Sequence, residues 1–165
     1  MTHDITNRRQ LARIMYVGLA LTAVLMLAPI VDLLTVDSIS GHVRDAYPNW
    51  PDSKVHQDRD AIAAWLAAIG LLGIGTWYWA IRSLRRSAGR ARIVVTTAFA
   101  LGLLVVLTNL SVGGDGYRQV VPLLYGLLWL VPAALGLLAV VEAWRRPTPA
   151  RTVEARAPRT KAAHR

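Results

Sequence analysis

The chain contains no cysteine. Disulfide bridges are therefore excluded, and so is every thiol mechanism, including that of the four-helix disulfide oxidases and epoxide reductases of membranes. No histidine lies inside any of the long apolar runs. That rules out a haem held between paired axial histidines of a bundle. It equally removes a membrane-embedded serine activated by histidine. The His-Glu-x-x-His signature of zinc peptidases does not occur. The glycine-rich stretch at 113–116 lacks the lysine and the strand-to-helix setting of a phosphate loop. Asp115-Gly116 is not followed by the arginine and aspartate array of lipid phosphoalcohol transferases. No motif calls for a cofactor, and the reading leans away from an enzyme.

What the chain does hold is apolar sequence in blocks. Of its 165 residues, 54% are hydrophobic. They collect in runs of about 20 residues, the length that crosses ~30 Å of hydrocarbon at ~1.5 Å per residue. The runs predict helices over about 14–34, 61–81, 93–112 and 120–144. The expected fold is all-α, an integral membrane four-helix bundle over residues 1–144. The remainder, 145–165, is rich in Pro, Ala and Arg without apolar periodicity and is expected to be disordered.

Charge is distributed by side. Fifteen of the nineteen Lys and Arg residues fall before the first run, between the second and third, or after the fourth. Counting Glu142 with these segments and Asp32 with the two remaining connections, at whose ends they lie, the two sides carry net charges of +12 and −3, which together give the overall +9. Cytoplasmic loops are enriched in Lys and Arg, so both termini are expected in the cytoplasm, with the chain in the plasma membrane. Arg82, Arg85, Arg86, Arg145 and Arg146 then face anionic lipid headgroups. They form no recognition face for nucleic acid. Asn7-Arg8-Arg9-Gln10-Leu11 has a twin-arginine look. The run behind it is longer than a signal-peptide core and no small-x-small site follows, so a retained first helix is expected.

The connection over residues 35–60 is too long for a bare link and is expected to be structured. Ile39, Val43 and Tyr47 recur at i, i+4, i+8 and predict a short capping helix from Ser38 to Tyr47. Two prolines, Pro48 and Pro51, then turn the chain. Ser53 is the expected N-cap of a second helix that projects beyond the bilayer.

Several side chains carry potential chemistry. Asp32 is the one acid well inside an apolar run. Such acids are costly and often functional, but Asp32 lies near the outer end, where Asn109 is a ready hydrogen-bond partner. Small multidrug transporters place their coupling acid deeper. His42, His56 and Asp60 could supply three ligands to a metal, although the spacing is nonspecific and a hydrated acidic loop accounts for them. Glu142 precedes Arg145 and Arg146 at i+3 and i+4 and is expected to pair with them at a helix end. Ala64, Ala68 and Gly75 share a face of the second helix, and Ala98 and Gly102 one of the third. Small residues let helices approach closely where lipid gives no hydrophobic incentive to associate.

His42-Val43-Arg44, Tyr47-Pro48, Trp77-Tyr78-Trp79-Ala80-Ile81-Arg82 and Arg90-Ala91-Arg92, with the alanine- and arginine-rich tail, set an order of parts. It resembles small four-pass integral membrane proteins of uncharacterised function, of the actinobacterial type. The resemblance implies a four-helix bacterial membrane fold and no established activity. The expectation is a non-catalytic interaction or accessory subunit. It would associate with a membrane protein partner, or with itself, through its small-residue faces. The alternative is a small oligomeric transporter or channel using Asp32 and Asn109.

Overall fold

The apolar runs become helices, two of them 34 and 35 residues long, well beyond the ~20 that a membrane crossing needs. The computed structural model describes residues 2–145 except 114, 115 and 118. The elements are α1 (Thr2–Thr35), α2 (Ser38–Ala46), α3 (Asp52–Arg86), α4 (Ala88–Ser111), α5 (Leu123–Leu128) and α6 (Leu130–Trp144). Four helical stretches are long and apolar enough to cross a membrane, with α5 and α6 together forming the fourth. Large apolar side chains such as Leu34, Leu72 and Ile93 stand exposed on the outside of the bundle. In water such a surface would drive association, whereas hydrocarbon solvates it.

Hydropathy located the helices and misjudged their ends. α1 starts at Thr2, not near residue 14. No proline or glycine precedes Gly18, so nothing in the sequence halts the helix at the membrane boundary. Its Leu11 and Met15 are fully buried. At the other end Val36 N and Asp37 N both donate to the Asp32 carbonyl, and Asp37 takes a left-handed φ of 52°. α3 begins at Asp52 behind Pro51, not behind Ser53. The Pro51 carbonyl accepts from Lys54 N and Val55 N and so closes the first turn.

The expected basic loop at 82–92 shrinks to one residue. Ser87 is extended, its N–H donates to the Ser83 carbonyl, and its hydroxyl accepts from Arg90 N at 3.3 Å. One side chain ends α3 and caps α4. Arg82, Arg85, Arg90 and Arg92 therefore sit on helices. The break between α5 and α6 at Trp129 has a different cause. Pro132 cannot donate to the Leu128 carbonyl, and its ring crowds that group. Pro29, by contrast, is buried within an uninterrupted α1.

The long helices form a ring in which α1 and α4 each pack on α3 and α6. α1 and α3 meet as an antiparallel zipper. Gly18, Thr22 and Met26, one turn apart, oppose Trp77, Gly73 and Gly70 in turn. A Cβ at residue 70 would lie 2.5 Å from Met26 Cβ, and one at residue 73 would lie 2.9 Å from Thr22 Cγ2. Trp77 Nε1 donates to Thr22 Oγ1 at 3.1 Å, and that hydroxyl donates to the Gly18 carbonyl at 2.7 Å. Two packed clusters result. One, at the basic end, includes Leu11, Met15, Ala80 and Ala139. The other, at the end capped by α2, includes Ile39, Val43, Leu66 and Tyr125.

Candidate functional site

Between the two clusters the bundle does not close. A cavity of about 330 Å³ lies among α3, α4 and α6, with Thr22 of α1 at its back. Small residues make the room: Gly73 on α3, Ala98 and Gly102 on α4, Ala133 and Gly136 on α6. A Cβ at Gly102 would meet nothing within 4 Å. Leu72, Trp79 and Leu101 line the cavity and are exposed, so its mouth opens sideways between α3 and α4.

One polar group in this lining is unspent. Asn109 is 4% exposed, and its Oδ1 accepts from Trp65 Nε1 at 3.0 Å. An indole N–H only donates, so the amide must turn its oxygen to Trp65 and its nitrogen away. Asn109 Nδ2 has no hydrogen-bond partner. An unsatisfied buried donor costs roughly 1–3 kcal/mol. The Thr76 hydroxyl donates to the Leu72 carbonyl on its own helix, and Thr22 is committed to Gly18 and Trp77.

The capped end is a second polar region. α2 seals the bundle with Ile39 and Val43, both fully buried. Tyr47 stacks on Trp50 with ring centroids 3.8 Å apart, and Tyr117 meets Tyr47 edge-on at 5.1 Å. The Tyr117 hydroxyl donates to Asp58. Burial, aided by Asp58, pushes the Tyr117 phenol well above its ordinary value of 10.0. Gly116 N donates to the Tyr47 hydroxyl at 3.1 Å, and a Cβ at residue 116 would lie 2.7 Å from the Ala46 carbonyl oxygen. The connection after α4 is thus pressed onto α2. Arg44 donates to the Trp50 carbonyl at 2.7 Å and pairs with Asp52. Arg59 bridges Asp37 at 3.2 Å and Asp60 at 2.8 Å. Burial pushes the Asp37 carboxyl up, but the nearby Ser40 dipoles together with the hydrogen bond and charge of Arg59 outweigh it and leave it below its ordinary value. The Arg44–Asp52 pair is exposed and worth ~0.2–1 kcal/mol, whereas Arg59 and Asp37 are half-buried.

The residues singled out from sequence do not assemble into one site. Asp32 and Asn109 are not partners. Asp32 Oδ2 accepts from Ile39 N at 3.3 Å and faces a groove beside Ser38 and Tyr125, while Asn109 lines the separate α3–α4–α6 cavity. The short loop at α2 supplies Asp32 with a nearer donor. His42 Nε2 lies 2.9 Å from the Gln119 carbonyl, and its ring stacks on Tyr117. His56 is exposed on α3, and Asp60 is held by Arg59. Among the described residues no three His, Asp or Glu side chains could hold a metal.

Ala64, Ala68 and Gly75 face outward, and a Cβ at Gly75 would meet nothing within 4 Å. Helix packing inside the chain instead uses Gly18, Gly70 and Gly73. Ala98 and Gly102 border the cavity. Glu142 is 7% exposed, and among the described residues no ion pair joins it to Arg145. Arg146 and the rest of the tail lie outside the described residues. Arg85 donates to the Tyr16 hydroxyl at 3.3 Å, and Arg82 and Arg86 are exposed at the basic end.

Trp65, Tyr117 and Arg59 escaped the sequence reading. For Trp65 the signal was present: a tryptophan inside a long apolar run needs a partner for its N–H. Tyr117 and Arg59 had no such signal, since their partners are 59 and 22 residues away. Comparison with family models, with curated proteins and with solved structures finds no match.

Proposed function

We propose that the protein is a non-catalytic accessory subunit of the bacterial plasma membrane. It associates with a transmembrane helix of a partner protein through the outward face of α3. One observation carries the reading. Ala64, Ala68 and Gly75 repeat along one side of α3 and are exposed to the surroundings, and a Cβ at Gly75 would meet nothing within 4 Å. Small residues at such spacing let a second helix come close enough for dispersion to hold it. Neighbouring Leu71 and Trp79, also exposed, would flank the approaching helix. The resemblance to small four-pass proteins of the actinobacterial type agrees with this reading and adds no activity. The transport alternative loses its paired site, because Asp32 and Asn109 serve different surroundings.

Replacing Ala64, Ala68 and Gly75 together by Leu tests the proposal. Pulldown from native membranes should lose the partner; unchanged partners and unchanged oligomeric state would sink it. Association between copies of this chain would show as loss of an oligomer in place of a partner.

Orientation belongs to the same proposal. The +12 and −3 charge split favours both termini in the cytoplasm, with α2 and the aromatic cap outside. Because the chain has no cysteine, single-cysteine variants need no background removed. An impermeant maleimide applied to whole cells should label Asn49→Cys and spare Gly89→Cys. The reverse pattern would invert the topology.

A further inference from the structure

We propose that the α3–α4–α6 cavity binds a lipid-soluble molecule whose carbonyl oxygen accepts from Asn109 Nδ2 and whose hydrocarbon chain lies along Gly73, Gly102 and Gly136. The chemistry of the lining selects this ligand. Asn109 Nδ2 offers an unpaired donor, whereas its oxygen already accepts from Trp65. The ligand must therefore bring an acceptor. The Thr22 and Thr76 hydroxyls already donate to backbone carbonyls of their own helices, so neither competes for that acceptor.

Water is a poor occupant. A buried water needs two to four polar partners, and apolar cavities of this kind stay dry and take up apolar molecules. The volume, about 330 Å³, falls within the range of small-molecule sites, ~300–1,000 Å³. The shape is elongated. The lining residues on α4 run from Val95 to Asn109, which at ~1.5 Å per residue is roughly 21 Å.

The placement fits a membrane-borne molecule. Asn109 stands two residues before the end of α4, near the interface with the capped end. A carbonyl there leaves the chain to run inward along the helices. The mouth between Leu72, Trp79 and Leu101 opens to the side, so the ligand enters from the hydrocarbon without crossing water.

Two sources share this chemistry: the ester of a glycerolipid and the ring carbonyl of a prenylated quinone. Protein purified in detergent is incubated with an ester-linked phospholipid, with its ether-linked analogue, and with a prenylated quinone. Binding is read by native mass spectrometry and by the fluorescence of Trp129, whose side chain lines the cavity. One molecule should bind per chain in an ester or quinone arm, with the ether analogue at least about tenfold weaker. Ester binding identifies the lipid as source, and quinone binding identifies the quinone.

Asn109→Leu should weaken binding about tenfold, but it also strips Trp65 of its acceptor and could unfold the chain. Gly102→Phe guards against that ambiguity. Its ring enters open space, so the melting temperature without ligand should match wild type while binding is lost. Absence of binding in every arm, equal binding of the ether analogue, or undiminished binding by a folded Gly102→Phe would each overturn the proposal. None of these results depends on a protein partner, so this test and that of the α3 outer face fail separately.

Discussion

Gly70→Ala should loosen the whole contact between α1 and α3. The new Cβ would sit 2.5 Å from Met26 Cβ and 3.1 Å from Met26 Cα. Ordinary contact begins at 3.4 Å, so about 0.9 Å must be found. No rotamer change can supply it, because both Met26 atoms are fixed to the backbone of α1. The helices must separate. A gap of that size forfeits roughly a quarter to a half of the dispersion at each neighbouring contact. Thr22 against Gly73 and Gly18 against Trp77 are the contacts at risk.

Overpacking of this kind costs typically ~1–3 kcal/mol. Stretching the Trp77–Thr22 hydrogen bond would add about 0.6 kcal/mol, the average for such bonds between membrane helices. Gly75→Ala is the control, on the same helix with open space around it. It should be neutral, or stabilising by up to ~1 kcal/mol from helix propensity. Unfolding in detergent by heat or by SDS, followed by circular dichroism, measures both. If Gly70→Ala unfolds together with Gly75→Ala, the zipper does not hold α1 to α3 and the reasoning fails.

Two further expectations concern the ends of the bundle. The Tyr117 phenol has its folded-state pKa raised above 10.0, so its contribution is complete below about pH 10 and is lost as pH rises toward the folded value. Between pH 9 and 11 the melting temperature of wild type should therefore fall more steeply than that of Tyr117→Phe; parallel slopes would refute the burial argument. Ser87→Ala removes the side chain that caps α4 across a one-residue link, and should cost ~1 kcal/mol in the same unfolding assay. No measurable loss would mean that the Arg90 N–H finds another acceptor.

Number and order of the long apolar helices were legible because lipid imposes a simple rule. Each crossing needs an unbroken apolar stretch, and four such stretches are written in the chain. The capping helix was legible for a related reason, since Ile39 and Val43 repeat with helical period. Helix ends were less so. Hydropathy marks where lipid stops, whereas the helix stops only where the backbone finds a cap, as at Ser87, or loses a donor, as at Pro132.

The sequence by itself also determined the asymmetry of charge and, through the missing cysteine, the absence of any disulfide. Only the tertiary structure decided which small residues pack and which do not. Gly70, Gly73, Gly75 and Gly102 look alike in sequence. The first two lie against α1, the third faces outward, and the fourth opens onto a cavity. Asn109 read as a partner for Asp32 until folding gave its oxygen to Trp65, 44 residues away, and left its nitrogen unpaired. A hydrogen bond has direction and needs two groups within about 3 Å, and local pattern does not record which distant donor arrives.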